Sequence, residues 1–261
     1  MGHLRLGRLP KTRRWVQVVE LLNDAPQDVS GIAASVALAA DARLKKLAAD
    51  PSLGYCFWLL TRIAQASRTS DFQKSLSEIG VAANNDDSVL GFISRLNERI
   101  HAETDHNINS GHFTDLSSLA LKRTLSETIV EHSETLFGAP IDNLRAAFRA
   151  HSQSDQFGSI SHKFFADFFS RTLKSLVDRE LSKHVGPGMS FSTCVDSKNF
   201  MEALDIHSRE SARIMQDFAS DWYSKHNWES KGQISRNEAQ AFVAVALNKL
   251  RSEFKLGVLE T

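Results

Sequence analysis

Apolar residues recur every three or four positions along most of this chain, the spacing of one face of an α-helix. Trp15, Val18, Val19 and Leu22 form the first stripe. It predicts a short helix that starts at Lys11 or Thr12, just after Pro10, and stops before Pro26. The residue ahead of a proline is pushed out of helical geometry. Ile32, Val36, Ala40, Leu44 and Leu47 predict a second helix from about Gln27 to Ala49. Pro51 opens a third, since proline suits the first helical turn. Ser70-Asp71 starts a short fourth, ended by Gly80, a common helix-stop residue.

Val89, Ile93, Leu96 and Ile100 mark a fifth helix after the polar Asn84-Asn85-Asp86-Asp87 loop. A sixth is expected from about Asp115 to Phe137 and a seventh from Ile141 to His151. The eighth, Ser161 to His184, begins with Phe164, Phe165, Phe168 and Phe169, which wrap around most of it and imply burial on several sides. Gly186-Pro187-Gly188 makes a turn. A ninth helix from about Asp196 to His226 and a tenth from Ile234 to Phe254 complete the pattern. Only Met189 to Cys194 could pass for a short extended piece. The class is all-α, a bundle of about ten helices with its last three long helices packed together. Asn107 to Thr114 is the weakest seam. A two-lobe division gives residues 1–14 as a basic strap, 15–106 as an N-terminal lobe and 115–256 as a C-terminal lobe.

Composition narrows the classes. The chain has 261 residues, with 31 Lys and Arg against 31 Asp and Glu, so its formal net charge is zero. A whole-molecule attraction to nucleic acid or membrane is absent, and any such binding must be local. No stretch approaches the ~18 apolar residues of a membrane span. The basic start is not followed by an apolar run as a secretory signal requires. Cys56 and Cys194 read as buried free thiols, which suits a reducing cytoplasm.

Motifs for catalysis do not emerge. There is no Gly-x-Ser-x-Gly elbow and no Gly-rich phosphate loop. Phe157-Gly158-Ser159-Ile160-Ser161 and Lys231-Gly232-Gln233-Ile234-Ser235 echo one another as Gly-x-Ile-Ser turns. Placed in a calcium-loop register, the second puts Asn227 at position one and Glu238 at position twelve. Calcium requires several oxygen ligands. Lys231 puts a cation where a ligand belongs, so both segments read as structural turns. His207 and Glu210, three residues apart and joined by His132 of the sixth helix, make an imaginable metal site. A core histidine held by a hydrogen bond is the commoner use of such a residue. His101, Glu103, Asp105, His106 and His112 match no metal spacing and read as a solvated helix end. No metal or cofactor is expected.

The N-terminus is the sharpest feature outside the core. Arg5, Arg8, Lys11, Arg13 and Arg14 precede the first acid, Glu20, and Trp15 follows them at once. Arginines hold phosphates bidentately and aromatics stack on bases, so this arm could hold nucleic acid. Leu4, Leu6 and Leu9 alternate with basic residues and glycine, which equally suits a strap in a protein groove. Trp222, Tyr223 and Trp228 make a second aromatic cluster, read either as core or as a contact corner.

Leu6-Gly7-Arg8-Leu9-Pro10-Lys11-Thr12-Arg13-Arg14-Trp15 and His184-Val185-Gly186-Pro187-Gly188 resemble segments of uncharacterised helical proteins of bacteria. Such proteins are encoded beside multi-gene systems, phage-defence clusters among them. The resemblance covers two short stretches and carries no catalytic residue. It implies an accessory component in antiviral defence. The expected function is therefore a non-enzymatic, cytoplasmic adaptor that binds a partner protein through Leu6, Leu9, Trp15, Trp222 and Trp228. A nucleic-acid module using the basic arm, and a metal-dependent enzyme centred on His207 and Glu210, are the alternatives.

Overall fold

The computed structural model describes residues 12–24, 29–41, 44–45, 50–82, 89–106, 113–131 and 141–256. Among them the chain forms α1 (Arg13–Asp24), α2 (Val29–Ala39), α3 (Pro51–Ala66), α4 (Phe72–Glu78), α5 (Val89–His106) and α6 (Thr114–Val130). After these come α7 (Ile141–Ala150), α8 (Ser154–Leu181), α9 (Cys194–Ser211), α10 (Ile214–Glu229) and α11 (Arg236–Leu256). A 3₁₀ turn at Ser182–His184 follows α8. The fold is an all-α multi-helix bundle.

Local chemistry starts these helices where the side chains allow. Asp50 accepts a hydrogen bond from the Ser52 amide at 2.8 Å, and Pro51 occupies the first position of α3. Asp71 caps α4 through the Lys74 amide. Gly80 follows α4 at φ 77°, the left-handed geometry glycine adopts freely. Thr193 and Asp196 form a reciprocal capping box at α9. Ser235 and Glu238 do the same at α11, with the Ser235 amide 2.8 Å from the Glu238 carboxylate. Each box satisfies amides that a helix start leaves without intrahelical partners.

Helix α8 is the axis of the bundle and packs against α2, α6, α9 and α10. Phe157, Phe164, Phe165, Phe168 and Phe169 are all fully buried, as a helix that is apolar all round requires. Phe57 of α3 ties this axis to α10 and α11. Its ring lies 5.4 Å from Phe165, 5.5 Å from Trp222 and 4.8 Å from Phe242, centroid to centroid. The last long helices pack together as expected: α8 on α9 and α10, and α10 on α11. One cluster of buried apolar side chains runs from Trp15 to Leu250. The seam read at 107–114 is bridged by α3 on α6 and on α11, and by α2 on α8, α9 and α11.

Three readings are corrected. The eighth helix begins at Ser154, not Ser161, so Phe157-Gly158-Ser159-Ile160-Ser161 lies inside it and is no turn. Gly158 sits where α10 crosses; a Cβ there would stand 2.3 Å from the Gln216 carbonyl oxygen. Glycine serves close approach here, and the echo with residues 231–235 does not extend to structure. The ninth helix is also two helices. Its chain breaks at Ala212 and Arg213, where Arg213, Met215 and Gln216 each bond to a carbonyl three residues back. Ser208 contributes by returning its hydroxyl to the Leu204 carbonyl at 2.7 Å, a bond that bends helices. Ser208 is the serine of α9 that reaches the core. Finally, Cys194 is exposed; only Cys56 is a buried thiol.

Around Gly186-Pro187-Gly188 the chain turns as read. Its extended piece reduces to an isolated bridge between Val185 and Phe191. No helix among the described residues is long and apolar enough to cross a membrane.

Candidate functional site

The aromatic cluster near the end of α10 divides by depth. Trp222 is half-buried, its ring 4.5 Å from Phe242 and 5.2 Å from His226. Tyr223 is 1% exposed and stacks on Phe157 at 4.0 Å. Trp228, one turn further on, is 85% exposed. An indole this large and this bare is the kind of group that anchors binding interfaces.

Trp228 stands at the edge of an open cleft of about 1130 Å³. One wall is the end of α3 and the turn after it, with Arg62, Gln65 and Arg68. Glu78 of α4 and Gln153 at the start of α8 add to the rim. The other wall is the end of α10 and its exit turn, with Tyr223, Asn227 and Lys231.

The exit turn is built by a specific C-terminal motif. The Gly232 amide bonds the Asn227 carbonyl at 2.9 Å, and the Lys231 amide bonds the Trp228 carbonyl at 3.2 Å. This crossed pair is the Schellman pattern, which demands a left-handed residue at the position Lys231 occupies. Lys231 is at φ 52°, a geometry that costs a side-chain-bearing residue about 1–2 kcal/mol. Lys231 thus lines the cleft from a backbone geometry that local preference disfavours.

Hydrogen bonds across the cleft fix its walls. The Gln65 amide donates to the Asn227 side-chain oxygen at 2.9 Å. Arg62 donates from one nitrogen to the Gln65 side-chain oxygen at 3.3 Å and to the Gly232 carbonyl at 3.2 Å. Burial pushes the Arg62 pKa down, and Glu78 partly offsets this. Arg68 donates to the Ser152 carbonyl at 3.3 Å. The Tyr223 hydroxyl is buried without a well-formed hydrogen bond. Its pKa is pushed up to about 12 by burial, with the nearby Arg68 guanidinium opposing the shift. A buried hydroxyl left unmatched is expensive and calls for an explanation.

The other candidate residues are placed as follows. Trp15 lies in the core at 6% exposed, so the contact it makes is with its own chain. Arg13 and Arg14 are exposed on the first turn of α1. Arg5, Leu6, Arg8, Leu9 and Lys11 lie outside the described residues, as do His112 and His132. His207 is half-buried and Glu210 exposed on α9. No group of three or more His, Cys, Asp or Glu residues suited to a metal occurs among the described residues. Glu238, the residue at calcium-loop position twelve, is engaged by Ser235 and by His226 at 3.2 Å. Those bonds draw its pKa down, Ser235 foremost. Glu103, read as part of a solvated helix end, is instead 4% exposed and paired with Arg99 and Arg236.

Arg62 and Arg68 were not singled out from the sequence, and Lys231 was noted only as a cation misplaced in the calcium-loop register. The one signal for Arg62 is that it is the only charged residue in α3. Nothing local to Arg68 marks it, and nothing local assigns Lys231 to a cleft, because the cleft joins segments some 170 positions apart.

Fold and cleft together define an all-α bundle with a polar, cation-bearing cleft beside a bare tryptophan. No protein-family model, no curated protein and no solved structure matches the chain.

Proposed function

We propose that this protein is a non-enzymatic accessory subunit that docks on a partner protein, with the cleft edge at Trp228 as its contact. The observation that carries the reading is the 85% exposed indole beside a cleft of about 1130 Å³. A few residues, with Trp, Tyr and Arg enriched among them, carry most of the binding energy of protein interfaces. The setting we assign, a bacterial cytoplasm beside a multi-gene defence system, rests on residues 6–15 and 184–188 alone.

The test is a pull-down from the native host with the wild-type chain and with Trp228→Ala. The reading expects a discrete protein that the wild type captures and the variant loses. Capture that is indifferent to Trp228, or no capture at all, would end it.

A further inference from the structure

We infer that the cleft receives the carboxylates of an acidic peptide segment, bound by Arg62 and Arg68 over the Tyr223 hydroxyl, with Lys231 at the rim. This deepens the docking reading and rests on it for the identity of the occupant as a protein segment.

Several arginines of this protein pair with carboxylates, while Arg145 bonds the Ser67 and Thr69 carbonyls. Arg99 meets Glu103 at 2.9 Å, Arg209 meets Asp205 at 3.0 Å and Arg251 meets Asp41 at 2.8 Å. Arg123 and Arg171 share Asp167. Arg62 and Arg68 have no such carboxylate among the described residues. Their bonds go to neutral oxygens at 3.2–3.3 Å, near the long limit for a hydrogen bond. Each guanidinium carries five N–H donors in a planar fork that matches a carboxylate. Arg62 and Arg68 each use a single nitrogen for these bonds, and both residues line the cleft.

The Tyr223 hydroxyl is the second, independent sign. Its side chain is 1% exposed and lines the same cleft; the Arg68 guanidinium stands beside its oxygen, and no acceptor meets hydrogen-bond geometry for its proton. An acceptor arriving between the two arginines would satisfy it. Lys231 adds a third cation from its disfavoured backbone geometry.

Glu78 and Glu229 also line the cleft and shape the choice of ligand. Glu229 leans toward His226 at 3.9 Å, and Glu78 acts on Arg62. Three cations against two carboxylates leave a modest positive excess. A polyanion carrying a phosphate at every nucleotide would meet both acids. A peptide with one or two carboxylates would not, and its backbone amides find partners in Gln153 and Gln233.

The experiment follows the indole N–H signal of Trp228, assigned with Trp228→Phe, in the full chain by NMR. The probes are an octapeptide of Asp, Glu and Gly, its Lys-containing counterpart, inorganic phosphate and an eight-residue oligothymidylate. The acidic octapeptide is expected to shift the signal saturably. Its affinity should fall at least tenfold in Arg68→Gln, an exposed position whose folding the same NMR spectrum checks, and several-fold in Tyr223→Phe. Arg62→Lys keeps the charge but not the fork and should weaken binding as well. Raising salt should weaken wild-type binding, which reads the charge dependence without any variant.

No saturable shift, a shift indifferent to Arg68 and salt, or equal affinity for the Lys peptide would overturn the inference. Tighter binding of the oligothymidylate than of the acidic peptide would overturn it too, in favour of a nucleic acid. The docking reading fails separately. Partner capture that needs Trp228 but not Arg68 leaves docking standing without the anion site. Arginine-dependent peptide binding with capture indifferent to Trp228 leaves the anion site without that docking.

Discussion

The carbonyl oxygen of Gln216 approaches Gly158 so closely that a Cβ on that glycine would lie 2.3 Å from it. This contact sets how deeply α10 seats on α8, the most extensive helix pair in the bundle. It also explains a glycine in the interior of a helix, where glycine ordinarily costs about 1 kcal/mol relative to alanine.

Gly158→Ala should therefore destabilise the protein despite the gain in helix propensity. Backbone cannot rotate aside as a side chain can, and overpacking of this kind costs about 1–3 kcal/mol. Gly54→Ala is the comparison. Its added Cβ meets chiefly the end of the Gln240 side chain, with the Gln240 Cα at 3.3 Å. Gly54→Ala should be close to neutral. Urea unfolding of both variants checks the contrast; equal midpoints would refute it.

Lys231→Gly should raise stability by about 1 kcal/mol, because glycine adopts the left-handed position without steric cost. The same change should weaken the acidic octapeptide. A stability gain together with a binding loss would mark Lys231 as a residue kept for the cleft. Chemical denaturation and the NMR titration measure the two effects on one sample.

Tyr55 and Tyr223 are the only tyrosines, so phenolate absorbance reports on them alone. Burial pushes both pKa values up to about 12, with nearby arginines opposing it in each case. An unfolded tyrosine ionises near pH 10. The folded state thus binds protons more tightly than the unfolded state between these values. The stability tied to the neutral phenols should be fully present below about pH 10 and decline as the pH rises toward 12. Spectrophotometric titration of the folded chain should show almost no phenolate at pH 10. A midpoint at the ordinary value would contradict the burial of both rings.

The basic arm offers a separate check. Docking at Trp228 predicts that Arg13→Gln with Arg14→Gln leaves partner capture unchanged. A nucleic-acid module predicts duplex binding that falls steeply with salt, with a log–log slope that loses about 0.9 for each phosphate contact removed. Gel-shift assays across a salt series decide. Steep binding that these substitutions weaken would move the function to nucleic acid.

Sequence periodicity by itself determined the fold class and most helix starts, because both are local. Three-to-four spacing states which face a helix buries, and Asp50-Pro51, Asp71 and Gly80 act within a few residues of themselves. The burial of Phe164, Phe165, Phe168 and Phe169 was legible for the same reason. Tertiary structure alone decided what Gly158 does, since a glycine at a turn and a glycine under a crossing helix look identical in one dimension. It alone buried Trp15, although arginines precede it, and left Trp228 bare. It alone brought Arg62 and Arg68 to face Lys231 and Tyr223, because a cleft between the ends of α3 and α10 is a relation of positions far apart along the chain, and no local spacing encodes it.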